Sequence, residues 1–154
     1  MLIARAAALL AGLWAGLLAG IGFVGAPAVF AVVAAPEAGL AVGRMFALEA
    51  YTSLALVVVL FVIERTRARR AAEAGAGSVL SGNMLLVLGA LFCTVAGYFA
   101  LQPMMAAARA GQGVLSFGAL HAISATFFGL KTLLVVALAW RLTAAEPLRR
   151  APSS

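Results

Sequence analysis

Charge is scarce in this chain. Asp, Glu, Lys and Arg make up 10% of its 154 residues, 65% are hydrophobic, and the mean hydropathy is +1.11. A soluble domain carries about a quarter charged residues, so the composition excludes an ordinary soluble fold and reads as an integral membrane protein. The single cysteine, Cys93, excludes an intrachain disulfide and gives no sign of an oxidised framework. The single histidine, His121, cannot supply the two axial imidazoles of a typical membrane cytochrome. There is no serine, histidine and acid set, no H-E-x-x-H, and no phosphate-cradling glycine loop between a strand and a helix. The expectation is therefore a protein that is not an enzyme and carries no cofactor.

The charges present are mostly arginine, and the formal net charge is +6. No basic face alternates with exposed aromatics as strand binding requires, so nucleic acid is excluded as a partner and the bilayer is expected instead. Four apolar runs, residues 6–35, 38–63, 84–101 and 117–140, are each near or above the length a helix needs to cross hydrocarbon, about 20 residues. Period-two alternation is absent, and four strands cannot close a barrel, so helices alone satisfy the backbone in lipid. The fold class is all-α: one transmembrane domain over residues 1–154, an integral membrane four-helix bundle. The first run begins like a secretory signal but continues far past the usual apolar length of about 7–15 residues, so it reads as a span. Pro27 removes a helical hydrogen bond inside it, which predicts a kink near Gly25.

Arginines beside the spans favour the cytoplasmic side. Arg5, then Arg65, Arg67, Arg69 and Arg70, then Arg141, Arg149 and Arg150 fall on one side, against Arg44 and Arg109 on the other. Both termini are expected in the cytoplasm, with a loop at 64–83 and a polar tail at 141–154. The expected location is a bacterial cytoplasmic (inner) membrane. Small residues recur every fourth position: Ala8, Gly12, Gly16 and Gly20 on the first helix, Gly89, Cys93 and Gly97 on the third, and Gly118 with Ala122, then Ala125 with Gly129, on the fourth. Such stripes let backbones approach closely, so they are expected inside the bundle, with self-association or a membrane protein partner as the alternative.

Ionisable side chains inside spans cost at least about 2.5 kcal/mol near the bilayer centre and normally face a partner or a cavity. Arg44, Glu49, His121 and Lys131 are the candidates. On a helical wheel His121, Ser124, Phe128 and Lys131 share a face, and helical side chains lean toward the N-terminus. That face is expected to meet Glu49, whose neighbours Thr52 and Ser53 add hydroxyls. Tyr98 and Gln102 lie in the outer part of the third helix. One reading is an externally accessible pocket of Glu49, Lys131, His121, Ser124 and Tyr98 with Arg44 near its mouth. The other is a buried ionic network that sets helix register. A water-filled cavity reaching Glu49 supports the first; a sealed cluster, or side chains on different faces, removes it.

Three stretches, GFVGAPAVF at 22–30, EAGLAVGRMF at 37–46 and SFGALHAIS at 116–124, resemble the transmembrane protein 205-like family of four-helix membrane proteins. The resemblance rests on Pro27, Phe30, Ala38, Gly39, Gly43, Phe46, Phe117, Leu120, His121 and Ser124. Thr126, Phe127 and Phe128 stand where the family pattern leads one to expect an asparagine. The resemblance implies a multi-pass membrane protein and is suggestive of export through its eukaryotic member's link to drug resistance. Three functional classes remain: a small-molecule or ion export or permeation component, a scaffold or accessory subunit of a membrane complex, and a metal or haem site. The last would draw on His121, Cys93, Met104, Met105 and Glu49, since Cu(I) favours thioether and thiolate ligands, although methionines in such a chain also serve packing.

Overall fold

The computed structural model describes residues 2–144, and those residues form helices and short turns with no strand among them. Four helices are long and apolar enough to cross a membrane: α1 Leu2–Val32, α2 Ala35–Glu73, α3 Gly82–Arg109 and α4 Phe117–Ala144. Each packs on the next in chain order and α4 returns to α1, so α1 faces α3 across the bundle and α2 faces α4. Successive helices are antiparallel. One end, the terminal end, carries the start of α1, the α2–α3 connection and the end of α4; the other, the hairpin end, carries the α1–α2 and α3–α4 connections.

Three boundaries differ from the hydropathy reading. α2 continues ten residues beyond 63, to Glu73, because ERTRARRAAE contains good helix formers and no glycine or proline. It keeps burying Glu64 and Ala68. It stops at Gly75, whose φ of 70° is the left-handed cap conformation, with Ala76 N–H returning to Ala71 O at 2.8 Å. The connection expected over 64–83 is thus mostly helix. α3 runs past 101 to Arg109, and α4 past 140 to Ala144. Ser81 and Ser116 cap the starts of α3 and α4 by accepting from Met84 N–H and Ala119 N–H. The 145–154 tail, with Arg149 and Arg150, lies outside the described residues.

Both odd-numbered helices contain a π-helical segment, Gly20–Gly25 in α1 and Val95–Ala100 in α3. A proline follows each, Pro27 and Pro103. A proline ring clashes with the carbonyl four residues earlier, here Phe23 or Phe99, and each of those lies in the wider π turn where the ladder is already shifted. The irregularity expected near Gly25 therefore takes the form of a π segment just before Pro27.

The main core joins Ala7, Ala11, Trp14 and Leu18 of α1 to Val57 and Leu60 of α2, Val87 and Ala90 of α3, and Val135, Leu138 and Leu142 of α4. These repeat at three- and four-residue spacing, one face per helix. This corrects the expected inward stripe on α1. Gly12, Gly16 and Gly20 are exposed, with open space where a Cβ would stand, because Trp14 on the opposite face fills the interior. Gly118 and Gly129 likewise face open space, whereas Gly89 and Gly97 meet Leu134 and Phe127 of α4.

Candidate functional site

Glu49 and Lys131 meet on the bundle axis. Glu49 follows Ala35 by 14 residues and Lys131 follows Phe117 by 14. Both thus lie about 21 Å from the hairpin end at a rise of 1.5 Å per residue, level with one another. Lys131 Nζ donates to Glu49 Oε1 at 2.8 Å and to Oε2 at 2.9 Å. Each residue is 3% exposed. Because α2 and α4 stand across from each other, the pair bridges the interior and ties together two helices that are otherwise separated by α1 and α3.

A third helix joins through hydroxyl and indole. Ser53, one turn beyond Glu49, donates to Glu49 Oε1, and Trp14 Nε1 of α1 donates to Ser53 Oγ at 2.9 Å. Trp14 and Ser53 are completely buried. Phe46 and Phe128, each three residues before a charged partner, meet edge to face with ring centroids 5.1 Å apart on the hairpin side. The Phe128 ring lies 5.3 Å from Lys131 Nζ, within range of cation–π attraction. Toward the terminal end lie Val57, Leu60 and Val135 of the main core. Aromatic cover and aliphatic core together enclose the charges. Desolvating two ions in the interior costs several kcal/mol each, and their attraction repays this only with good geometry and further hydrogen bonds, which the two-oxygen contact and Ser53 provide.

A second polar cluster sits near the terminal end. Glu64 accepts from Arg67 Nη1 at 2.6 Å and from Asn83 Nδ2 at 2.9 Å, joining α2 to the start of α3. Arg141 of α4 lies against Gly82, where a Cβ would stand 2.9 Å from its Nη2. Asn83 Oδ1 is buried without a partner in the described structure.

The residues grouped from sequence do not all converge. His121 is exposed and stacks on Phe117, with centroids 5.9 Å apart, and Arg109 covers that same Phe117 ring at 4.4 Å. Ten residues separate His121 from Lys131, about 15 Å of helix, which is beyond a shared contact with Glu49. At that level α4 buries Leu120 against Leu101 and Met105 and turns His121 outward. Ser124 is half-buried and donates to Gly97 O at 2.6 Å, so it serves α3 rather than Glu49. Arg44 is exposed, and Tyr98 packs edge to face on Phe99, which also meets Tyr51. The accessible pocket is thus corrected to an enclosed pair with His121, Arg44 and Tyr98 elsewhere. Trp14 carries no charge to mark it in the sequence, although its spacing with Ala7, Ala11 and Leu18 marks a face.

The remaining residues of the resemblance scatter: Phe30 and Gly43 are exposed, Gly39 is partly so, and Phe46 covers the pair. The sulfur atoms do not gather either. Cys93 is buried on α3, Met104 is 46% exposed and Met105 packs with Leu120. Among the described residues no group of three His, Cys, Asp or Glu is placed to hold a metal ion.

The chain matches the family profile of a domain of unknown function, DUF4149, over residues 9–113, and it belongs to that family. The matched region carries Trp14, Glu49, Ser53, Glu64 and both π segments; Lys131 and His121 lie beyond it. No curated protein and no solved structure matches the chain significantly.

Proposed function

We propose that this protein is a non-enzymatic scaffold or accessory subunit of a membrane complex, held rigid by its axial ion pair and presenting its outer faces to a neighbouring membrane protein. The observation that carries this reading is the enclosure of Glu49 and Lys131, which neutralise each other beneath Phe46 and Phe128 and leave the pair as a brace for α2 and α4. The outward Gly12, Gly16 and Gly20 add a face on which another transmembrane helix can approach closely. The arginine bias supports cytoplasmic termini, since Arg5, Arg65, Arg67, Arg69, Arg70 and Arg141 share the terminal end while Arg44 and Arg109 lie toward the other. A bacterial cytoplasmic membrane and kinship with transmembrane protein 205-like proteins complete the proposal.

Site-specific photo-crosslinking in native membranes tests it. Probes at Leu13 and Leu17, beside the glycines and 71% and 37% exposed, should give discrete adducts that Gly16→Leu removes, while a probe at Leu133 on α4 gives none. Adducts of equal yield from both helices would remove the glycine face from the proposal.

A second reading, an ion or small-solute permeation component, is favoured by the π segments and prolines that flank the pair, since irregular helices within membranes often accompany ion and substrate sites. Proteoliposomes decide between the two. A flux above that of protein-free vesicles and lost in Glu49→Gln supports permeation, whereas background flux supports the brace.

A further inference from the structure

The two π segments are alike locally and anchored differently. In α3, Gly97 is buried and packs closely on Phe127, its carbonyl accepts from Ser124 Oγ at 2.6 Å, and Leu101 N–H turns to Tyr98 O. The arm beyond it, Leu101–Arg109, buries Leu101 and Met105 against Leu120. In α1 no residue of Gly20–Gly25 or of the arm Ala26–Val32 is buried. The arm rests on α2, and the π segment itself rests on α2 and α4 through glycine contacts: a Cβ at Gly25 would stand 2.7 Å from Met45 Cε, and one at Gly22 would stand 2.7 Å from Phe128 Cε1. Phe128 is the ring that meets Phe46 and lies over Lys131.

We propose that Gly20–Gly25 is a hinge at which the hairpin-end part of α1 bends, lifting Gly25 from Met45 and Gly22 from Phe128 and so loosening the aromatic cover over Glu49 and Lys131, while the matching segment of α3 is a fixed strut. The π turn keeps i→i−5 bonds such as Ala26 N–H to Ile21 O, but Pro27 has no N–H to donate, so bending there breaks fewer hydrogen bonds than elsewhere in α1. Gly22, within the hinge, is the seat of the Phe128 ring, and bending there empties that seat. The hinge shares Gly20 and the aromatic cover with the assembly reading, but it is a motion inside one chain and is read out without any partner.

Spin-label distances in nanodiscs test the motion in full-length protein carrying Cys93→Ser. Labels at Val32→Cys and Val58→Cys, 84% and 63% exposed in the native residues, report the α1 arm. Labels at Met104→Cys and Leu133→Cys, 46% and 69% exposed, report the α3 arm. The α1 pair should show two distance populations and the α3 pair one. Gly22→Ala, which crowds the seat of Phe128, should raise the open α1 population about fivefold. The native chain, with its one buried cysteine, provides the second readout: Cys93 should react correspondingly faster with a small thiosulfonate in Gly22→Ala. A single population for the α1 arm would overturn the hinge. Two populations with unchanged Cys93 reactivity would overturn the loosening of the cover.

Discussion

Glu49 and Glu64 lie on the same helix and are equally hidden, each 3% exposed, yet their surroundings differ in kind. Glu49 is held by a lysine that is itself buried, on the helix across the bundle, inside the apolar span. Glu64 is held by Arg67, one turn away on its own helix with a side chain 36% exposed, and by Asn83 at the start of α3. It also lies 29 residues after Ala35, about 44 Å along α2 and near the water-facing end. Burial of a carboxylate therefore says little about its importance until its partner's burial is known. If Arg67 were lost, water would take its place beside Glu64; with the aromatic cover closed, no such substitute reaches Glu49.

Substitutions that break this contrast should fall in a definite order. Lys131→Met leaves Glu49 charged and unpaired in the interior and should cost about 3–5 kcal/mol, read as a collapse of the folded fraction in reversible unfolding from detergent. Ser53→Ala removes the acceptor of Trp14 Nε1 and a donor to Glu49, and should cost about 1–3 kcal/mol in the same assay. Glu64→Gln weakens an ion pair whose partner is partly solvated, and should cost about 1 kcal/mol or less. The smallest effect belongs to the double change Glu49→Met with Lys131→Met. Removing both ions together should leave stability within about 1 kcal/mol of the native protein, or raise it. A double variant as damaged as Lys131→Met alone would show that the charges do more than neutralise one another.

The order also separates brace from site. Should the double variant keep its stability and its crosslinked partner, the pair is a register device; should it keep stability and lose a measured flux, the pair belongs to a pathway.

Much is legible in the amino-acid sequence alone. Hydropathy placed four spans because about 20 apolar residues per crossing is a requirement of the bilayer and not of any particular fold. Glu49 and Lys131 stood out because charges in such runs are rare, and Pro27 marked the irregular part of α1 because its ring cannot fit a regular ladder. Hydropathy ends α2 and α3 too early, since it registers lipid contact whereas helix continues wherever propensity and packing allow, through Arg70 in one case and past Pro103 in the other.

Other choices lay beyond any one helix. Whether Gly12, Gly16 and Gly20 or Ala7, Ala11 and Trp14 turn inward depends on which face finds complementary partners on α2 and α4. Whether His121 joins Lys131 depends on where α3 seats Leu120. The amino-acid sequence by itself determined a membrane-spanning, all-helical chain with two charges that must be answered, because solvent and backbone set those terms residue by residue. Only the tertiary structure decided that they answer each other, under two phenylalanines and beside Trp14, because side chains on diagonally opposed helices meet only once four faces have chosen their neighbours.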